Sequence, residues 1–207
     1  MKPATRPRRH PVPLQLPLGL KQRGRGGARA NAGRKRGERV SRHRREKLAS
    51  RFPVHVTLRV LPGVWNLRGK QCFRALCGAF AGGREQGGFR LVHFSVQGNH
   101  LHLIVEALDE RALARGMQGL AIRMAKSLNR QMGRRGRVFA DRYHAHILRS
   151  LAEVRNAVAY VLGNFAKHLA EQGRGAPGAV VDPCSSDWPG ARAFVAPART
   201  WLLSGSG

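Results

Sequence analysis

Two strand-like runs, Phe89–Gln97 and His100–Ala107, meet across the dipeptide Gly98-Asn99, and this pairing restricts the chain more than any other feature. Runs of this composition separated by a Gly/Asn dipeptide mark a tight hairpin whose central residues take positive φ. In the second run Leu101, Leu103 and Val105 share one face, so that face needs a cover. A lone hairpin is at best marginally stable in water, so further strands and helices must complete the layer.

The flanking segments supply them. Val54–Val60 alternates with period two and reads as a first strand, ended by Pro62-Gly63. From about Arg68 to Glu85 the spacing is helical, with Phe73, Leu76, Cys77 and Phe80 on one side, before the break at Gly87-Gly88. Asp109 can cap a helix to about Met132 whose inner face is Leu113, Met117, Leu120, Met124 and Leu128. Gly133 and Gly136 flank its exit, and Val138–Leu148 reads as a fourth strand. Ser150 with Glu153 forms a capping box for a last helix reaching about Ala170. The order β-α-β-β-α-β-α predicts an α+β sandwich, ferredoxin-like or RRM-like, with an antiparallel sheet and packed helices.

Charge narrows the partner. The chain has 38 Lys+Arg against 11 Asp+Glu, a formal net charge of +27. Such self-repulsion suits a protein that works beside polyanions, most commonly phosphate backbones. No stretch approaches the roughly 18 apolar residues of a spanning helix. Pro11–Leu20 is broken by prolines and lacks a small-residue cleavage site, so it makes a poor signal peptide. Three cysteines (Cys72, Cys77 and Cys184) suit a reducing compartment rather than a disulfide framework. Cys72 and Cys77 have neither zinc-ribbon spacing nor same-face helical spacing, and read as packing residues. Together these features lead to an expected cytoplasmic, nucleoid-associated placement and no membrane partner.

Residues 1–50 hold 16 of the 38 basic residues and only two acids. Dominated by Gly, Pro and Arg, and carrying Arg34, Lys35 and Arg36, this stretch is expected to be mostly disordered and to bind nucleic acid by counterion release. The expected organisation is a basic tail over 1–50, a folded domain over 51–172 and a C-terminal tail over 173–207. In that last tail, periodicity fades, and Trp188 and Phe194 are candidates to pack back on the domain.

His100-Leu101-His102 is the first chemical motif. Residues two apart on a strand project to the same face, so both imidazoles can give one nitrogen to a single divalent ion. Two ligands are too few, and a third must come from elsewhere. His144-Ala145-His146 repeats the spacing, which shows that the pattern alone is weak. The chain has only two tyrosines. Tyr143, beside Arg142, is a packing or base-contact candidate. Tyr160 lies roughly 100° off the apolar stripe of the last helix (Val154, Val158, Val161, Phe165 and Leu169). Asn164 follows one turn later on the same face, so a phenol and a carboxamide are presented together.

Three segments carry a resemblance: Val92–Val105 with its His-Leu-His, Gly136–Tyr143, and the helix Val154–His168 with Tyr160 and Asn164. Taken in order over about residues 52–170, they resemble the IS200-like transposases, single-tyrosine members of the HUH nuclease superfamily that include the REP-associated tyrosine transposases. Phe165 stands where the family commonly has proline. The resemblance implies a single-stranded DNA transposase or endonuclease that cleaves and rejoins DNA through a 5′-phosphotyrosine. In it Tyr160 would be the nucleophile, His100, His102 and Asn164 would hold Mg²⁺ or Mn²⁺, and Lys167 would be a candidate to activate the phenol or contact phosphate. His144 and His146 match no ligand position of the family. The partner would be single-stranded or hairpin DNA, and relatives act as dimers or as monomers. The alternative is an inactive relative that binds DNA or RNA hairpins.

Overall fold

Val54, Val56 and Leu58 are buried along one face of β1 (Val54–Arg59), and His55, Thr57 and Arg59 alternate onto the other. That alternation sets the polarity of the whole sheet, because a paired strand must present its apolar residues to the same side. β1 is flanked by β4 (His100–Ala107) and β5 (His144–Ile147). β3 (Phe89–Val96) pairs with β4, and the two-residue β2 (Glu85–Gln86) pairs with β3. All these pairs are antiparallel, in the order β2-β3-β4-β1-β5. The computed structural model describes residues 46–171 and 181–205, with the side chains of 164–171 outside that description. The described residues all fall in one unit, Val40–Gly207.

Helices cover both faces. α1 (Lys70–Gly83) and α2 (Glu110–Gln131) pack on the Val54/Val56/Leu58 side, in a core with Leu101, Leu103, Val105 and the Phe80–Phe94 ring pair. α2 starts where expected, since the Asp109 carboxylate accepts a bond from the Ala112 N–H at 2.6 Å. Its inner face is Leu113, Met117, Leu120, Met124 and Leu128, all buried. α3 (Leu151–Glu171) and the short α4 (Trp201–Ser204) cover the opposite face, where Val92, Ile104, Leu148, Val154 and Val161 form a smaller core with Leu202 and Leu203. This is the expected α+β fold with an antiparallel sheet and packed helices.

Several local expectations change. The fourth strand is shorter than Val138–Leu148: only His144–Ile147 is regular, and Phe139 makes an isolated bridge to Val60. Residues 138–140 still pair with the end of β1, through Leu61 N–H to the Val138 carbonyl and Ala140 N–H to the Arg59 carbonyl, but the chain bends at residues 140–142 and the register against β1 has shifted when pairing resumes at His144. The Gly98-Asn99 hairpin closes through Gln97 N–H to the His100 carbonyl at 2.9 Å, but Gly98 is not among the positive-φ glycines. The turn therefore lacks the primed geometry that the dipeptide suggests. Glu153 reaches back one residue further than a capping box requires, accepting from Arg149 N–H, while Ser150 Oγ accepts from Glu153 N–H.

The described C-terminal residues also pack on the sheet. Residues 182–196 run along the outer edge of β3, bonding Val96 N–H, the Phe94 carbonyl and the Leu91 carbonyl, and Pro189–Phe194 forms a 3₁₀ helix. Trp188 and Phe194 stack at 6.4 Å. An open strand edge invites pairing with other chains, and this segment covers it. Two buried acids anchor the segment. Asp182 pairs with Arg68 at 2.7 Å, and Glu106 accepts from Arg90, from the Arg199 and Thr200 N–H groups and from the Thr200 hydroxyl. Burial by itself would raise the Glu106 pKa, but the bonds from Thr200, Arg90 and Arg199 outweigh it and hold the carboxyl below its ordinary value. Cys72, Cys77 and Cys184 are free and buried. Among the described residues, no helix is long and apolar enough to cross a membrane.

A candidate metal and tyrosine site on the sheet face under α3

Register decides which polar side chains meet. Thr57 lies directly across from His102 and from His144, while His55 lies across from Ile104 and from His146. Arg59 faces His100, and Ser95 faces His102 from the other side. Cross-strand partners share a face, so His55, His100, His102, His144 and His146 occupy one side of the sheet, the side that α3 partly covers.

The expected pair sits at the centre of this face. The His100 and His102 rings are 4.8 Å apart at 89°, with His102 buried and His100 half-buried. α3 brings Tyr160 over them: its ring stands edge-on to His102 at 5.1 Å, and its side chain is 44% exposed. That exposure matches a residue flanking the apolar stripe, since Val154 and Val161 of the stripe are fully buried.

Both imidazoles are held through the same nitrogen. His100 Nδ1 lies 2.8 Å from Asn99 Oδ1, which can only accept, so Nδ1–H donates there. His102 Nδ1 lies 3.2 Å from His55 Nε2 and 3.3 Å from Thr57 Oγ1. With each Nδ1 engaged by the sheet, Nε2 is the nitrogen each ring would offer a divalent ion. The pair therefore fits two positions of a metal site by donor chemistry and by ring placement. Among the described residues, no three His, Cys, Asp or Glu side chains form a metal-holding group. Among the described residues, a third ligand would therefore be of another type. Asn164 and Lys167 lie on α3, but their side chains fall outside the described residues, as do Arg34, Lys35 and Arg36 altogether.

His55 escapes the motif reading. Its polar position on an alternating strand was visible, but nothing in the chain order links it to His102, 47 residues away. Burial lowers its pKa, and the neighbouring His146 and His144 lower it further, favouring the neutral ring. His144 and His146 are thus brought beside the site's edge, although no residue spacing relates them to the first pair. Tyr143 packs against the main core rather than at this face, and its hydroxyl is buried. Arg142 is exposed and its N–H bonds Asp141. Around it the loop after α2 exposes Arg135 and Arg137, with positive φ at Gly133 and Gly136.

No family model matches the chain, and no curated protein does. Among solved structures the chain is similar in fold to a REP-associated tyrosine transposase bound to a REP hairpin, at 17% identity and a TM-score of 0.56. The match covers 76% of this chain and 89% of that one.

Proposed function

We propose that this protein is a DNA strand transferase that cleaves and rejoins single-stranded or hairpin DNA through Tyr160. One observation carries the reading: a partly exposed phenol, the hydroxyl-bearing side chain of α3, stands edge-on to a pair of imidazoles whose Nδ1 atoms are both tied back into the sheet. The likeness in fold to a transposase that binds a REP hairpin supports a DNA partner of that kind, and so does the net charge of +27.

In this reading Tyr160 Oη attacks the phosphorus of a DNA phosphodiester. The bond to the 3′-oxygen breaks, a 5′-phosphotyrosyl bond forms, and the phenol proton is in net terms passed to the 3′-hydroxyl that leaves. The phosphoester bond energy is retained, so a 3′-hydroxyl can reverse the step without ATP. His100 and His102, with Asn164, would hold Mg²⁺ or Mn²⁺, which when bound neutralises charge on the phosphate and aligns it. Lys167, three residues past Asn164, is the proposed cation for stabilising the phenolate or the phosphate. Arg142 and the exposed arginines after α2 would contact the DNA backbone, as would Arg34, Lys35 and Arg36.

The test is direct. Wild-type protein is incubated with Mn²⁺ and a labelled pool of single-stranded and hairpin oligonucleotides, then run on a denaturing gel. A covalent complex present in wild type and absent from Tyr160→Phe is the expected result. Hairpin binding without any adduct, unchanged by EDTA, would instead point to a binding protein that does no chemistry.

A further inference from the structure

We propose that His55 is a positioning residue that fixes the tautomer and orientation of His102, so that Nε2 of His102 is the nitrogen presented toward the Tyr160 site. The inference rests on the metal-binding reading above, but its physical basis lies in the sheet. His55 Nε2 is 3.2 Å from His102 Nδ1, the two rings lie 28° from parallel, and His55 also meets the Tyr160 ring edge-on at 6.0 Å.

A neutral imidazole carries one N–H, and which nitrogen bears it is set by the bond the other groups make. His55 and Thr57 both reach His102 Nδ1. Thr57 Oγ1, at 3.3 Å, can either donate or accept, so it does not choose between tautomers. His55 chooses if its Nε2 accepts: His102 then must carry its proton on Nδ1, and its lone pair on Nε2. Asn99 plays the matching part for His100, through an oxygen that can only accept. The two ligand histidines would thus be set alike, one by the hairpin turn and the other by the strand alongside. Such supports of ligand histidines are typically worth 10- to 100-fold in metal affinity.

The pair of variants His55→Gln and His55→Leu separates orientation from packing. Gln can place an accepting oxygen near the position of His55 Nε2, while Leu fills similar volume with no acceptor. The first readout is the ¹⁵N NMR tautomer of the His102 ring in metal-free protein. His102 is expected as the Nδ1–H tautomer in wild type and in His55→Gln, and shifted toward Nε2–H or a mixture in His55→Leu. The second readout is Mn²⁺ affinity by titration calorimetry, expected to fall about 10- to 100-fold in His55→Leu and to be largely kept in His55→Gln. An Nε2–H tautomer in wild type, or an unchanged one in His55→Leu, overturns the proposal. Should wild type bind no Mn²⁺ at all, the metal reading fails, and the tautomer shift still decides the role of His55. Circular dichroism and urea unfolding confirm that both variants are folded.

Discussion

The phenol ring of Tyr160 stands edge-on to the imidazole of His102, with ring centroids 5.1 Å apart. One residue comes from the last helix and the other from the central hairpin, and only the packing of α3 on the sheet unites them. Tyr160→Phe keeps that ring contact and removes the hydroxyl alone. Unfolding free energy should change by less than about 0.5 kcal/mol, because the side chain is largely at the surface. Adduct formation should fall on the order of a thousandfold or more, as when a covalent nucleophile is lost. Denaturing gels and urea melts of the same preparation check both halves.

The two ligand candidates should separate by burial. His102→Ala removes a buried ring and strips His55 and Thr57 of their shared partner, at a cost of about 1–3 kcal/mol in stability. His100→Ala removes a half-buried ring at the edge of the hairpin turn, where it meets Asn99, and should cost under about 1 kcal/mol. Both should abolish measurable Mn²⁺ binding. Equal stability losses in the two variants would contradict the burial argument.

Glu106 makes stability depend on pH at the acid end. Its folded pKa is depressed below the unfolded value, so its contribution is fully present above the unfolded pKa and is lost as pH falls through the folded one. Urea midpoints should therefore decline below about pH 4.5, the range in which an unfolded glutamate begins to titrate. Glu106→Gln should lower stability at pH 7 by about 3 kcal/mol, since Arg90 and the Arg199–Thr200 turn lose a buried charged acceptor. The variant should also flatten the acid slope.

Two glycines of α2 make opposite predictions. A Cβ at Gly116 would sit 2.1 Å from Phe89 Cγ, so the helix touches the sheet there and Gly116→Ala should cost about 3 kcal/mol or more. A Cβ at Gly119 would come no nearer than 3.9 Å to Gln86 Oε1, and Gly119→Ala should stabilise the helix by about 0.5–1 kcal/mol. Thermal unfolding of both variants checks the pair.

DNA binding should be strongly salt-dependent. Removing residues 1–45, which hold most of the basic residues counted in the first fifty, should reduce the slope of log affinity against log salt by several units. The covalent adduct should persist at low salt, because Tyr160 and the histidine pair remain. Fluorescence anisotropy over a salt series measures the slope.

Most of the element order was legible because it is local. Period-two alternation at Val54–Arg59, the helical stripe from Leu113 to Leu128 and the caps at Asp109 and Ser150 each depend on neighbours within a few residues. The fourth strand is shorter than its composition suggests because the chain bends at residues 140–142 and shifts register against β1 between Phe139 and His144, which no propensity encodes. The C-terminal segment showed no periodicity because it is held by Asp182 and Glu106, two buried acids whose partners lie far away in the chain.

By itself the chain determined that His100 and His102 share a strand face, and that Tyr160 flanks rather than joins the apolar stripe, since both follow from fixed backbone periods. Only the tertiary structure decided which other groups reach them. Strand register placed His55 and Thr57 against His102 and brought His144 and His146 beside His55, while α3 set the phenol over the pair. The physical reason is that register and packing are settled by contacts between distant segments, which side-chain spacing along one segment does not record.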